Sequence, residues 1–123
     1  MESVQSICLM RALARALAEL EGALGEAFSL SLNEAMTLCA IAKERVPASF
    51  VSEQTGLSAS LTSRVVNALE DRGFVTRSLG REDRRQVFFE LTSEGSSLLA
   101  RLKKHPFVLP EFLQQLPLEM LLS

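Results

Sequence analysis

Three features of the 123-residue sequence predict a mainly α fold carrying one small β-hairpin. Residues 3–24 contain no proline and repeat apolar residues at steps of three and four, the period of a helix with one buried face. Residues 49–71 hold two short helical runs, each opened by a serine and separated by Gly56-Leu57, which reads as a tight turn. Residues 74–91 hold two short apolar runs around a charged, glycine-containing loop, the pattern of a hairpin.

In chain order, the N-terminal helix places Ile7, Met10, Leu13, Leu17, Leu20 and Leu24 on one stripe, widened by Ala14 and Ala18. A face this broad exceeds what one small domain covers, so the helix is expected to pack on its own core and on a second subunit. Gly22, Gly25 and Phe28 mark its exit. Ser31 caps a second helix, running to about Glu44 with Leu32, Ala35, Met36, Cys39 and Ala40 inward. Val46-Pro47 ends it, because proline disfavours a helical conformation in the residue before it. The third helix opens at Ser49 and closes near Thr55, before Gly56.

Ser58 caps the fourth helix, with Leu61, Val65, Ala68 and Leu69 inward and Ala59, Ser60, Ser63, Arg64 and Asn67 outward. After Gly73 come a strand at Phe74–Arg77, a loop at Leu79–Arg85 and a second strand at Gln86–Leu91. Thr92 caps a helix over 93–104, with Leu98, Leu99 and Leu102 inward. Its outward Arg101, Lys103 and Lys104 suit the helix dipole without any further partner. The tail 105–122 carries three prolines and is apolar enough to need a covering surface. The expected organisation is one domain over 1–123, with an N-terminal core and dimerisation helix at 3–28, a lobe at 31–92 and a C-terminal helical dimerisation segment at 93–123.

The outward face of the fourth helix is small, polar and basic. Small residues let a helix backbone approach base edges in a major groove about 12 Å wide, and Arg and Asn form paired hydrogen bonds to purines. This is the pattern of the second helix of a helix-turn-helix, and a hairpin following it is a wing. The wing carries Arg81, Arg84 and Arg85 near its tip.

At this point the sequence resembles the MarR family of winged helix-turn-helix transcription regulators. The residues that carry the resemblance are Gly56-Leu57-Ser58, the run Leu69-Glu70-Asp71-Arg72-Gly73-Phe74-Val75, and Asp83-Arg84-Arg85 followed at the family's spacing by Leu91-Thr92 and Gly95. The first string is common to many winged-helix families; the wing string is the specific one. The resemblance implies a homodimer, interleaved through its first and last helices, that binds a pseudo-palindromic operator as a repressor and is released by a small molecule or other signal. Two symmetric recognition helices then enter major grooves about 34–36 Å apart, giving half-sites spaced by about 10 bp. The short, proline-containing tail departs from the long final helices common in the family.

The expected DNA contacts are Ser58, Ser60, Thr62, Ser63, Arg64 and Asn67 on the helix and Arg81, Asp83, Arg84 and Arg85 on the wing. Within the wing, Asp83 is expected to hold Arg85 through a charge-assisted pair, readying its guanidinium for a minor groove about 6 Å wide. The formal net charge of −2 divides unevenly: residues 61–104 carry +3 and the remainder −5, which permits a basic surface on an acidic body.

Other function classes fare worse. His105 is the only histidine, beside a proline at a helix end, and no glycine-rich phosphate loop follows a strand, so an enzyme is not expected. The two cysteines fit neither a metal site nor a disulfide framework, and no cofactor is implied. Arg11 and Arg15 interrupt the apolar core a signal peptide would need, and the expectation is a cytoplasmic protein. Two alternatives stand beside the regulator. One is a thiol sensor using Cys8, which lies in the first helix where some relatives carry a reactive cysteine. The chain has no tyrosine to hold a thiolate there, and Cys39 reads as core. The other is a winged helix that binds protein instead of DNA. A small-molecule effector would have to draw aromatic contacts from Phe28 or Phe50, which read more simply as core.

Overall fold

The computed structural model describes residues 3–114. Its elements are α1 (Ser3–Phe28), α2 (Leu32–Ile41), β1 (Val46–Pro47), α3 (Ala48–Thr55), α4 (Ala59–Asp71), β2 (Val75–Leu79), β3 (Val87–Leu91), α5 (Ser93–Lys104) and α6 (Glu111–Gln114). The described residues fall into two compact units, one of Leu30–His105 and one formed by residues 3–29 and 106–114.

In the first of these units, caps written in the sequence set the helix starts. Ser31 and Glu34 form a reciprocal capping box at α2, which satisfies two otherwise free backbone donors. α2 stops at Ile41, three residues before the expected end at Glu44, because Ala42 turns to a φ of 50°. That turn directs Val46 and Pro47 against Phe89 and Phe88 of β3, so the wing is a three-stranded antiparallel sheet in the order β1-β3-β2. The sequence read Val46-Pro47 as a helix terminator only. α3 starts one residue earlier than expected, with Pro47 at its N-cap and no side-chain cap bond, so Ser49 is not its cap. Gly56, at φ 76°, ends α3 in the left-handed conformation that a side chain would strain. Ser58 caps α4 through the Leu61 N–H.

The core of this unit is built from Leu38 and Ile41 of α2, Val51 of α3, Val65, Val66 and Leu69 of α4, Val75 and Phe89 of the sheet, and Leu98, Leu99 and Leu102 of α5. Two expectations about inward faces are corrected. On α4 the buried stripe is Thr62, Val65, Val66 and Leu69, while Ala68 is exposed; on α2 it is Ala35, Thr37, Leu38 and Ile41, while Cys39 is exposed. In both helices the stripe is rotated by one residue because α3, α5 and the sheet cover a different edge of the helix from the one its apolar residues suggested. Cys39 lies at the surface, but surrounding protein still raises its thiol pKa, with the Lys103 charge opposing that rise.

Thr92 locks the wing to α5. Its hydroxyl accepts from the Gly95 N–H at 3.0 Å and donates to the Gly73 carbonyl at 2.6 Å, while its own N–H donates to the Phe74 carbonyl at 3.0 Å. Gly95 packs so closely on Phe74 that a Cβ there would overlap the Phe74 carbonyl oxygen. The Thr92…Gly95 part of the motif is therefore architectural.

In the second unit, α1 is one continuous helix through Gly22 and Gly25 to Phe28. Of its apolar stripe, Leu24 is buried, whereas Ile7, Met10 and Leu17 are exposed, as are Val4 and Leu9. The Phe28 ring stands 6.2 Å from that of Phe107. The tail beyond Gln114 lies outside the described residues. No helix among the described residues is long and apolar enough to cross a membrane.

Candidate nucleic-acid interface

Along α4, Ser58, Ser60, Ser63, Arg64 and Asn67 are exposed, as the sequence places them. Ser58 spends its hydroxyl oxygen on the helix cap. Thr62 is the correction: its side chain is 2% exposed and its Oγ1 lies 3.0 Å from Ser52 Oγ of α3. It cannot present its hydroxyl to a duplex; it joins the two helices of the helix-turn-helix. The reason is rotational, since α3 covers the edge of α4 on which Thr62 lies.

The wing loop is closed at its base by the Gly80 N–H on the Gln86 carbonyl at 2.9 Å, and at its tip by the Gln86 N–H on the Asp83 carbonyl at 3.1 Å. Within it, Asp83 Oδ1 accepts from both the backbone N–H of Arg85 at 3.0 Å and its Nε at 3.1 Å. These bonds hold the Asp83 carboxyl pKa below its ordinary value, the backbone bond contributing most. The pair is lopsided: Arg85 is 92% exposed and Asp83 42%, so the guanidinium stands in solvent on a carboxylate that fixes its base. Arg81 and Arg84 are exposed on the same loop.

Two arginines outside the expected contact set hold the wing in place, Arg45 across its sheet and Arg77 against α4. Arg45, just before β1, donates from Nε to Ser78 Oγ at 3.0 Å and from Nη2 to the Leu79 carbonyl at 3.1 Å, with its guanidinium 4.0 Å from the Phe88 ring centre. Arg77 of β2 donates from Nε to both carboxylate oxygens of Glu70 at 3.1 and 3.2 Å, and from Nη2 to Asn67 Oδ1. The exposed face of α4 and the outer edge of the wing are thereby joined. No local signal in the sequence marks these residues, because each partner lies on a different element; only Arg77's place on a strand was legible.

Cys8 is exposed on α1. His105 is the C-cap of α5, its N–H donating to the Arg101 and Leu102 carbonyls. Among the described residues no group of His, Cys, Asp or Glu is placed to hold a metal ion. A shallow groove of about 230 Å³ on the α1 unit is lined by Ala12, Arg15, Ala16, Glu19, Val108 and Pro110, with neither Phe28 nor Phe50 in its wall.

A helix pair joined at a glycine turn, with its second helix capped by Ser58 and followed by a three-stranded sheet with an arginine-bearing loop, defines a winged helix-turn-helix protein. A family model described as MarR family matches residues 28–86. Among solved structures, the transcriptional regulator BldR from Sulfolobus solfataricus is 26% identical with a TM-score of 0.72, over 98% of this chain and 86% of that one. A MarR-family transcriptional regulator from Rhodococcus sp. RHA1 is 27% identical with a TM-score of 0.73, over 84% of this chain and 74% of that one. FabT from Streptococcus pneumoniae, solved in complex with DNA, shares the fold at 23% identity and a TM-score of 0.72, over 97% of this chain and 87% of that one. No curated protein matches in sequence at a significant level. Over residues 28–86, the winged helix-turn-helix itself, the chain is recognised as MarR family, a family of transcriptional regulators that are not enzymes.

Proposed function

We propose that this protein is a homodimeric, cytoplasmic repressor that binds a pseudo-palindromic operator and is released by a small-molecule or other signal. The observation that carries the DNA-binding part is the wing tip, where Arg85 projects into solvent from a carboxylate that fixes its position. A pre-positioned arginine loses less conformational freedom on entering a groove than one on an unconstrained side chain. Ser60, Ser63, Arg64 and Asn67 supply the second contact set on the exposed face of α4, with Arg81 and Arg84 meeting phosphates. FabT, with the same fold, was solved in complex with DNA. Dimerisation is supported by the exposed apolar residues Val4, Ile7, Met10 and Leu17 on α1, a row that a free surface would leave in water.

Binding to duplex DNA across a salt series tests the reading. Neutralising several phosphates releases counterions, so log K must fall steeply with log salt, by about 0.9 per phosphate contacted. A flat response would assign the wing to a protein partner. Arg64→Ala is expected to weaken operator binding with the melting temperature nearly unchanged, since substitutions at exposed positions usually change stability by no more than about 0.5 kcal/mol. Sedimentation at micromolar concentration checks the dimer, and a monomer there would sink that part.

A further inference from the structure

Asn67 is the α4 residue best suited to read a base pair, because a free carboxamide offers an acceptor and donors together and so pairs with N6 and N7 of adenine. In this protein the carboxamide is not free. Its Oδ1 accepts from Arg77 Nη2, and Arg77 is held in turn by Nε on both oxygens of Glu70, at 3.1 and 3.2 Å. The guanidinium lies 5.8 Å from the ring centre of Phe89, the residue paired with Arg77 across the sheet. Three elements therefore fix one amide: Glu70 and Asn67 come from α4, Arg77 from β2, and the ring beneath from β3.

We propose, resting on the DNA-binding reading above, that Arg77 is a specificity-determining positioning residue that turns the Asn67 amide so that only its NH2 faces outward. With the carbonyl oxygen committed to a guanidinium, Asn67 acts as a hydrogen-bond donor. A donor matches the two acceptors of guanine, O6 and N7, whereas thymine O4 and adenine N7 each give it one, and the N6 amino group of adenine and the N4 amino group of cytosine give it none. The operator position facing Asn67 is accordingly a guanine, and adenine, left with N7 alone, loses there the paired contact that a free carboxamide would make. Glu70 serves by holding Arg77 at the amide, which keeps that guanidinium from reaching a phosphate itself.

The test has a DNA arm and a DNA-free arm. Duplexes bound from a random pool by the wild type, Asn67→Ala and Arg77→Met identify the base pair Asn67 reads, as the position that loses its preference in Asn67→Ala. At that position the wild type is expected to select guanine over adenine. Arg77→Met, which keeps the apolar stem, is expected to shift the choice towards adenine by roughly fivefold or more while leaving the salt slope unchanged. Glu70→Gln shifts it the same way by less. In the free protein, the Asn67 side-chain amide resonance must move on Arg77→Met. An unmoved resonance, a wild type that already selects adenine, an Asn67→Ala motif identical to the wild type, or a salt slope shallower by about one phosphate in Arg77→Met each overturns the proposal. A wild type that selects no motif and shows no salt dependence, with the resonance shift intact, refutes the DNA-binding reading instead.

Discussion

Thr62→Val separates a scaffold residue from a DNA contact within one turn of α4. The substitution keeps the branched shape, so it opens no cavity, and removes only the hydroxyl that lies 3.0 Å from Ser52 Oγ. Thr62 is 2% exposed, so water cannot replace the lost partner on its side, whereas half-buried Ser52 can turn partly to solvent. The net cost of one such bond is about 1 kcal/mol, which in a chain of this size lowers the melting temperature by roughly 3–6 °C. Thermal unfolding followed by circular dichroism, at equal protein concentration for all variants, reads the shift. Ser52→Ala should cost a similar amount, and the double variant should fall short of the sum by about 0.5–1 kcal/mol, the coupling of a direct pair. Operator affinity measured well below the transition should equal that of the wild type. If Thr62→Val melts with the wild type but loses tenfold or more in operator affinity, the hydroxyl meets DNA and its assignment to the α3–α4 joint is wrong.

Further outcomes follow from other positions. Thr37 is fully buried and its Oγ1 has no hydrogen-bond partner among the described residues, so Thr37→Val should raise stability by about 1 kcal/mol in denaturant titration. Gly95→Ala places a Cβ onto the Phe74 carbonyl, a rigid backbone atom, and should cost about 1–3 kcal/mol in the same titration, a loss that Ser96→Ala beside it does not share. Arg85→Ala should lower operator affinity and the preference for A·T flanks, where a narrow minor groove attracts an arginine, and Asp83→Ala should do part of the same without altering folding. Wild-type affinity and salt slope in Arg85→Ala would remove the wing from the interface. Because the folded-state pKa of Asp83 is depressed, its clasp on Arg85 is intact above the ordinary carboxylate value and is lost as pH falls through the lower folded one. The Arg85 Nε–H resonance, followed by NMR through that acid window, should report the opening, and no change there would mean the clasp does not form.

The sequence by itself determined the features whose causes are local. Ser31, Ser58 and Thr92 cap helices where the sequence places caps, because the hydroxyl and the N–H it satisfies lie within three residues. Gly56 ends α3 because a left-handed backbone favours glycine whatever surrounds it. The bounds of α5 and the Asp83–Arg85 pair, two residues apart on one loop, were legible for the same reason. Tertiary structure alone decided the rest. A two-residue strand has no period to read, and Val46-Pro47 becomes β1 only because β3 lies beside it. A helix stripe states its angular width but not which edge its neighbours cover, which is why Thr62 went inside and Ala68 and Cys39 outside. Arg45 and Arg77 are ordinary surface arginines in the chain. They became the attachments of the wing when folding brought Ser78, Leu79 and Phe88 to the first and Glu70 and Asn67 to the second, partners that no spacing along the sequence could have named.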